Sequence, residues 1–597
     1  VLDFLRLLPQ ASLLGTVGLI TEIVFTSLTP IAMMFATGVL IAAVSGGTSP
    51  LPGSADPWIA LGVMALLIVV LEIILPFTEA VTERLAYRVD LLLRERVLRA
   101  VLAPPTLAHL EDPGLANEVA MARTVGTESV QPPQIVAALS GIATARLLAV
   151  GSAVVLAGYR WWAPLVLVGI WLVSNEAYRR AVTHLFSSLE GSTTGFRRAR
   201  YLSDLALRGG AAKELRLFGL VGWLAARFTA HWRAGMREAW TQGGRHRWVL
   251  LCTAGVVVAG HGLICALLAG SALQGDIGLG QLIVYVQAVL GMMGFCWDAE
   301  NQYALHLGTA PVSHALQVCE VTAGPRFRVT GSRHLPDAPQ EGIRFQGVSF
   351  AYPGSERQVL HNLDLWLPAQ RSLAIVGDNG SGKTTLLKLL CRFYDPVHGS
   401  ITVDGVDLRD LDASGWQRHI AAVFADFARY PLSVLDNIAF GDVRRHQDRP
   451  ALQRAAAAAG ATDMIERLPA GWDTPLSRQF NGGIDPSGGQ WQRLALGRAL
   501  FAVDGTARVL LLDEPTANLD IRAEAAFYHR FLNLTRGLTT VVVSHRFSTV
   551  RQADRIVVLD AGRVVEDGSH AELIAYGGRY AAMFALQATS YLQDDHV

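Results

Sequence analysis

The sequence predicts an all-α membrane domain of six helices with long cytoplasmic extensions, followed by an α/β domain of the P-loop kind. Three observations carry that expectation. Long apolar segments crowd into the first 310 residues, whereas short β-branched runs alternating with helical stretches dominate the later part. Between them, "TAGPRFRVTGSRHLPDAPQEG" (322–342) is rich in glycine, proline and charge and reads as a linker. The expected division is a membrane domain over 1–320, a linker over 321–340 and a soluble domain over 341–597.

Composition agrees with a chain that is only partly soluble. Apolar residues make up 51% of its 597 residues, and the mean hydropathy is +0.31. The formal net charge is zero, so no basic footprint points to nucleic acid. Lysine occurs only at Lys213, Lys383 and Lys388, and the arginine bias suggests a G+C-rich, bacterial genome. Cys252, Cys265, Cys296, Cys319 and Cys391 form no CxxC pair and read as packing residues. The first apolar stretch is too long for a signal peptide and has no small-residue cleavage site.

Membrane spans are expected near 12–44, 57–80, 132–158, 161–185, 247–271 and 278–308. Each has enough apolar residues to cross a bilayer, which takes about 20 in a helix. The connections at 45–56 and 271–280 carry no arginine, but 81–131 and 186–246 carry many, so the positive-inside bias places the latter and both ends of the domain in the cytoplasm. The expected location is a multi-pass protein of the cytoplasmic membrane. Within the long segments, 108–123 and 207–220 read either as contact tips of helical levers or as solvated charged helices. Glu22, Glu72, Glu176 and Asp298 either converge on a cavity favouring cationic or polar substrates or sit on the extensions paired with arginines. His261 and Trp297 read equally well as packing residues.

The soluble part opens with "LAIVGDNGSGKTTLLKLL", a strand, a glycine-rich turn and a helix start. Gly377, Gly382, Lys383 and Thr384 have the GxxxxGK[ST] spacing, and the intervening Asn379, Gly380 and Ser381, with Thr385, complete a loop whose N–H groups can surround phosphates. Lys383 would reach the β- and γ-phosphates of ATP, and the Thr384 hydroxyl would bind Mg2+. "ARVLLLDEPTANLD" (507–520) is an apolar strand ending in two carboxylates, Asp513 for Mg2+ and Glu514 to polarise an attacking water. His545, at the end of the run "TTVVVSH", could contact the γ-phosphate. In "DPSGGQWQRLALGRAL" (485–500), Ser487, Gly488, Gly489 and Gln490 open a helix and offer N–H groups and a hydroxyl to phosphate.

With these motifs in place, residues 341–575 resemble the nucleotide-binding cassette of ABC transporters, and six spans fused ahead of a cassette resemble the half-transporters of the type IV exporter group. The membrane half rests on layout and on "KELRLFG". The resemblance implies that Tyr352 stacks on adenine, that Asp520 is the D-loop acid, and that the signature of one cassette completes the ATP site of another. One copy of each motif then requires two chains, with a homodimer favoured and a heterodimer possible. Two departures stand out. Pro486 replaces the signature leucine, and Ala425 in "VFADFARYPLSV" (423–434) replaces the glutamine expected to touch Mg2+ and water. The implied function is ATP-driven export of a small-molecule, peptide or lipid substrate across the bilayer. The alternatives are an importer on the same fold, or a nucleotide-gated channel or membrane sensor. Coupled leader-peptide cleavage is not expected of this chain.

Overall fold

The computed structural model describes residues 2–45, 56–122, 132–189, 194–207, 211–244, 247–296, 298–324, 327, 329, 331–334, 339–516 and 537–594. Asp520 and Trp297 lie outside the described residues. The chain divides into two compact units, Val1–Val97 with Glu118–Gln317 and Leu98–Asn117 with Val318–Val597.

The first unit is helical. A short amphipathic helix, α1 (Leu2–Ala11), buries Phe4, Leu7 and Leu8 at helical spacing in a core with Leu19, Leu85 and Val89. Four long helices and one short one, α4, follow: α2 (Leu13–Ser45), α3 (Pro57–Leu102), α4 (Pro113–Ala122), α5 (Pro132–Ala157) and α6 (Ala163–Leu189). After them come α7 (Thr194–Leu207), α8 (Ala212–Leu217), α9 (Val221–Gly244), α10 (Arg247–Leu273), α11 (Leu279–Gly291) and α12 (Ala299–Ala323). The 46 residues of α3 reach about 70 Å at 1.5 Å per residue, against a hydrocarbon core of about 30 Å. Its arginine-bearing second half is therefore an extension beyond any bilayer, as the sequence reading expects.

Among the described residues, five helical segments are long and apolar enough to cross a membrane: Leu13–Ser45, Pro57–Leu102, Pro132–Ala157, Leu251–Leu273 and Leu279–Ala323. The expected span at 161–185 forms a long helix, α6, that falls short by this measure because Glu176, Arg179 and Arg180 interrupt its apolar run. The expected span at 278–308 is broken: a single 3-10 turn, Met292–Phe295, separates α11 from α12. Arg146 on α5 donates to the carbonyls of Gly294 and Phe295, and Asn175 on α6 donates to Phe295 at 2.6 Å. Irregular backbone at membrane depth requires such protein partners, because lipid supplies none.

Three of the four acids of the membrane half hydrogen-bond local partners. Glu22 accepts hydrogen bonds from Thr82 at 2.6 Å and Ser140 at 3.4 Å. Asp298 accepts from the Asn301 carboxamide at 2.6 Å, and Glu72 lies exposed on α3. Arg179 and Arg180 pair with Glu176 at 2.7 and 2.6 Å, the arginine pairing weighed above.

The second unit holds two sheets. The strands are β1 (Gly342–Ala351), β2 (Gln358–Pro368), β3 (Ser372–Val376), β4 (His398–Val403), β5 (Val406–Asp407), β6 (Ile420–Val423), β7 (Val509–Asp513), β8 (Thr539–Val543), β9 (Arg555–Asp560) and β10 (Arg563–Gly568). The order β2-β1-β4-β5 makes an antiparallel sheet, and β10-β9-β3-β8-β7-β6 makes a second sheet in which β9 through β6 run parallel. β7 and β8 are buried along their whole length, as strands covered on both faces must be. The segment Leu98–Asn117 packs within this unit. Leu107 N–H donates to Phe393 O at 3.0 Å, Gln417 donates to Pro105 O at 2.8 Å, and the Tyr394 hydroxyl donates to Glu111 at 2.5 Å.

Candidate nucleotide site

The parallel sheet brings the motifs together. Gly377 follows β3, Asp513 ends β7, Ser544 and His545 follow β8, and Phe424 and Ala425 follow β6. The pairing of Asp513 with Val543 and of Ile375 with Val543 aligns those strand ends. Carboxyl ends of parallel strands are where open α/β sheets bind ligands.

The turn after β3 is shaped for close backbone approach. Gly377 has φ of +149°, and a Cβ there would stand 2.0 Å from Leu559 O. At Gly382, the N-cap of helix α13 (Lys383–Leu390), φ is +105°. Lys383 is buried, and its ammonium donates to the carbonyls of Gly377 and Asp378 at 2.9 Å each. Burial lowers its pKa, while Glu514, Asp513 and Asp378 push the other way. The Ser381 hydroxyl is buried without a protein partner, an orphaned donor in a loop made for phosphate. Asn379 and Gly380 are exposed at the crest of the turn, and Thr385 is buried.

Thr384 Oγ1 donates to Asp513 Oδ2 at 2.7 Å, joining the start of α13 to the end of β7. Burial raises the pKa of Asp513, and the neighbouring charges of Glu514 and Asp426 add to the rise; the Thr384 bond and Lys383 oppose it. A hydroxyl beside clustered carboxylates is a hard-oxygen donor set that fits Mg2+. His545 Nε2 stands 3.1 Å from Glu514 Oε1. Tyr352 reaches the back of α13: its hydroxyl lies 2.9 Å from Thr385 Oγ1 and Lys388 sits over its ring. The ring also meets Phe350 and Tyr394 edge-on, so it is a supported aromatic surface and not a free side chain.

The signature residues form a helix cap. Ser487 is the N-cap of the helix Gly488–Asp504; its Oγ accepts from Gln490 N–H at 3.4 Å, and Gln490 Oε1 accepts from Ser487 N–H at 2.8 Å. This reciprocal box sets the helix start, where Gly488 and Gly489 lie. Pro486 is buried just outside it, where its missing N–H costs nothing.

The stretch 423–434 is secured by residues the sequence reading did not single out. Arg498 donates to Asn437 O at 2.9 Å and stacks over Tyr430, and Asn437 donates to Tyr430 O and Ser433 O at 3.0 Å each. Ala425 and Asp426 are exposed. Two further glutamines also went unread. Gln492 donates to Glu514 O at 3.1 Å, and Gln587 donates to His545 O at 3.1 Å while accepting from Phe547 N–H. Both follow from tertiary packing, which no motif spacing encodes.

Fold and site together place a P-loop α/β unit, with its phosphate loop, paired carboxylates and capped signature helix, after a unit of membrane-length helices. Residues 360–517 match the family profile described as ABC transporter. Among known proteins, the chain is 37% identical over 395 residues to an ATP-dependent lipid A-core flippase of Alkalilimnicola ehrlichii, covering 65% of this chain and 64% of that one. The flippase of Aromatoleum aromaticum is 43% identical over 245 residues, 41% and 40% of the two chains. That of Pseudomonas aeruginosa is 36% identical over 329 residues, 51% and 53%. The chain thus spans less than two thirds of the length of these relatives. A solved bacterial Atm1-family ABC exporter with ATP bound shares the fold at a TM-score of 0.72 and 24% identity, over 96% of this chain and 98% of that one.

Proposed function

We propose that this chain is half of an ATP-driven exporter of the cytoplasmic membrane, pairing with a second chain so that each signature completes the other's ATP site. The observation that carries the reading is the assembly of Lys383, Thr384, Asp513, Glu514 and His545 at the strand ends of one cassette. On this reading the loop Gly377–Thr385 would cradle the phosphates and Tyr352 would stack on adenine, while Asp520, outside the described residues, has its D-loop role from the resemblance alone. Thr384 and Asp513 would hold Mg2+, which neutralises phosphate charge. Glu514 takes a proton from water, whose oxygen attacks the γ-phosphorus. The bond to the β–γ bridging oxygen breaks, leaving ADP and phosphate. Lys383 and His545 stabilise the transferring phosphoryl group.

Positive-inside charge favours a cytoplasmic cassette and cytoplasmic termini. An amphipathic lipid is the favoured substrate, supported by the names of the relatives and by an apolar groove of about 520 Å3 along α2, bordered by Val24, Phe25, Leu28 and Leu67. The test is ATPase activity of the purified chain in lipid, with lipid, peptide and cationic candidates compared. Stimulation by lipids and loss of turnover in Glu514→Gln are expected. Full activity in Glu514→Gln would overturn the reading.

A further inference from the structure

Glu514 adopts a backbone conformation that it would not choose alone. Its φ is +51°, the left-handed region that a side chain with a Cβ rarely enters. Pro515 follows it, and a residue before proline is also steered away from helical backbone. Proline brings no N–H of its own, so the peptide joining the two has only the Glu514 carbonyl with which to anchor itself. Glu514 N–H donates to Val543 O at 2.9 Å, and its carbonyl accepts from Gln492 Nε2 at 3.1 Å.

Gln492 is unusual where it stands. It is only 2% exposed, among the buried Trp491, Leu494, Ala495 and Leu496 of the signature helix. A carboxamide at such a place is kept for its hydrogen bonds, since burying it unpaired is costly. It is five residues from Ser487, so one rigid helix carries both the signature cap and the clamp on Glu514.

We infer that Gln492 is a positioning residue for ATP hydrolysis, holding Glu514 in its left-handed turn so that the carboxylate meets water and His545. The inference rests on the reading of Glu514 as the group that polarises water. Loss of the clamp lets the 514–515 peptide relax toward negative φ and carries the carboxylate off its mark. ATP binding, which uses the P-loop, is untouched.

The full chain in lipid is assayed as Gln492→Met, which keeps the length but cannot donate, beside Gln492→Glu and Glu514→Gln. Gln492→Met lowers kcat about fivefold, the value of one hydrogen bond, while KM for ATP stays within about twofold. In the Glu514→Gln background it adds no further loss, because the two residues act as one unit. A buried glutamate has a raised pKa and donates only when protonated. The deficit of Gln492→Glu relative to wild type therefore narrows as pH falls from about 8 to about 6. A kcat of Gln492→Met within about twofold of wild type, an equal rise in KM, or a Gln492→Glu deficit flat with pH would each overturn the inference. If Gln492→Met does not fold, the pH profile of Gln492→Glu decides alone. Undiminished turnover in Glu514→Gln would instead sink the reading of Glu514 itself, so the two failures are distinguishable.

Discussion

Restoring the missing glutamine is the sharpest perturbation the site offers. Ala425 is exposed, follows β6 at the sheet's carboxyl edge, and precedes Asp426, whose charge reaches Asp513. Ala425→Gln adds a side chain in open space, so the fold changes by no more than about 0.5 kcal/mol, as for other exposed positions. At the site, the carboxamide gains one hydrogen bond to the attacking water or a metal ligand. One such bond is worth about 1 kcal/mol net, or about fivefold in rate. The gain belongs to the transition state, because the proposed reading assigns nucleotide affinity to the P-loop and Tyr352. Steady-state ATPase assays on the full chain in lipid should therefore give kcat about fivefold higher, with KM for ATP within about twofold. An unchanged or lower kcat would refute the reasoning and leave Asp426 or a water as the native substitute.

Two further outcomes follow from the same geometry. Tyr352→Ala removes the adenine platform and raises KM for ATP about tenfold, in line with roughly 1–3 kcal/mol per stacked base. Tyr352→Phe keeps the ring, loses only the contact with Thr385, and should stay within about threefold of wild type. Titration gives the second. Burial raises the folded pKa of Asp513, so it takes up its proton at a higher pH in the folded protein than in the unfolded chain. Its ionised form costs stability at neutral pH, and that cost is relieved as pH falls through the raised value. Activity runs the other way, since a protonated Asp513 would not hold the Mg2+ proposed for it. The apparent Mg2+ requirement should climb with acidification before the cassette loses its fold, and a requirement that stays flat down to the pH of unfolding would contradict this.

The site was legible in the sequence wherever chemistry demands a fixed spacing. Gly377 to Thr384 and Asp513 with Glu514 lie together because strand, turn and helix force backbone N–H groups and carboxylates onto one sheet edge. The long helix α3 was equally legible, since arginines along an apolar-to-polar helix mark where bilayer ends. The charges in the second half of α6, which make it a poorer span, are likewise plain in the sequence. Two features were not. The break between α11 and α12 depends on Arg146 and Asn175, donors supplied by other helices. Gln492 and Gln587, the carboxamides behind Glu514 and His545, look like ordinary helix residues until the packing is known. Hydrogen bonds between elements distant in sequence leave no periodic trace for a sequence reading to find.

The central claim is that ATP hydrolysis at Glu514 drives outward movement of a lipid-like substrate. It is tested most directly in proteoliposomes by following a labelled phospholipid in the outer leaflet, with ATP outside and only outward-facing cassettes energised. The account predicts ATP-dependent transfer to the inner leaflet by wild type and none by Glu514→Gln. Equal transfer by the two proteins, or ATP-driven transfer toward the cassette side, would contradict it.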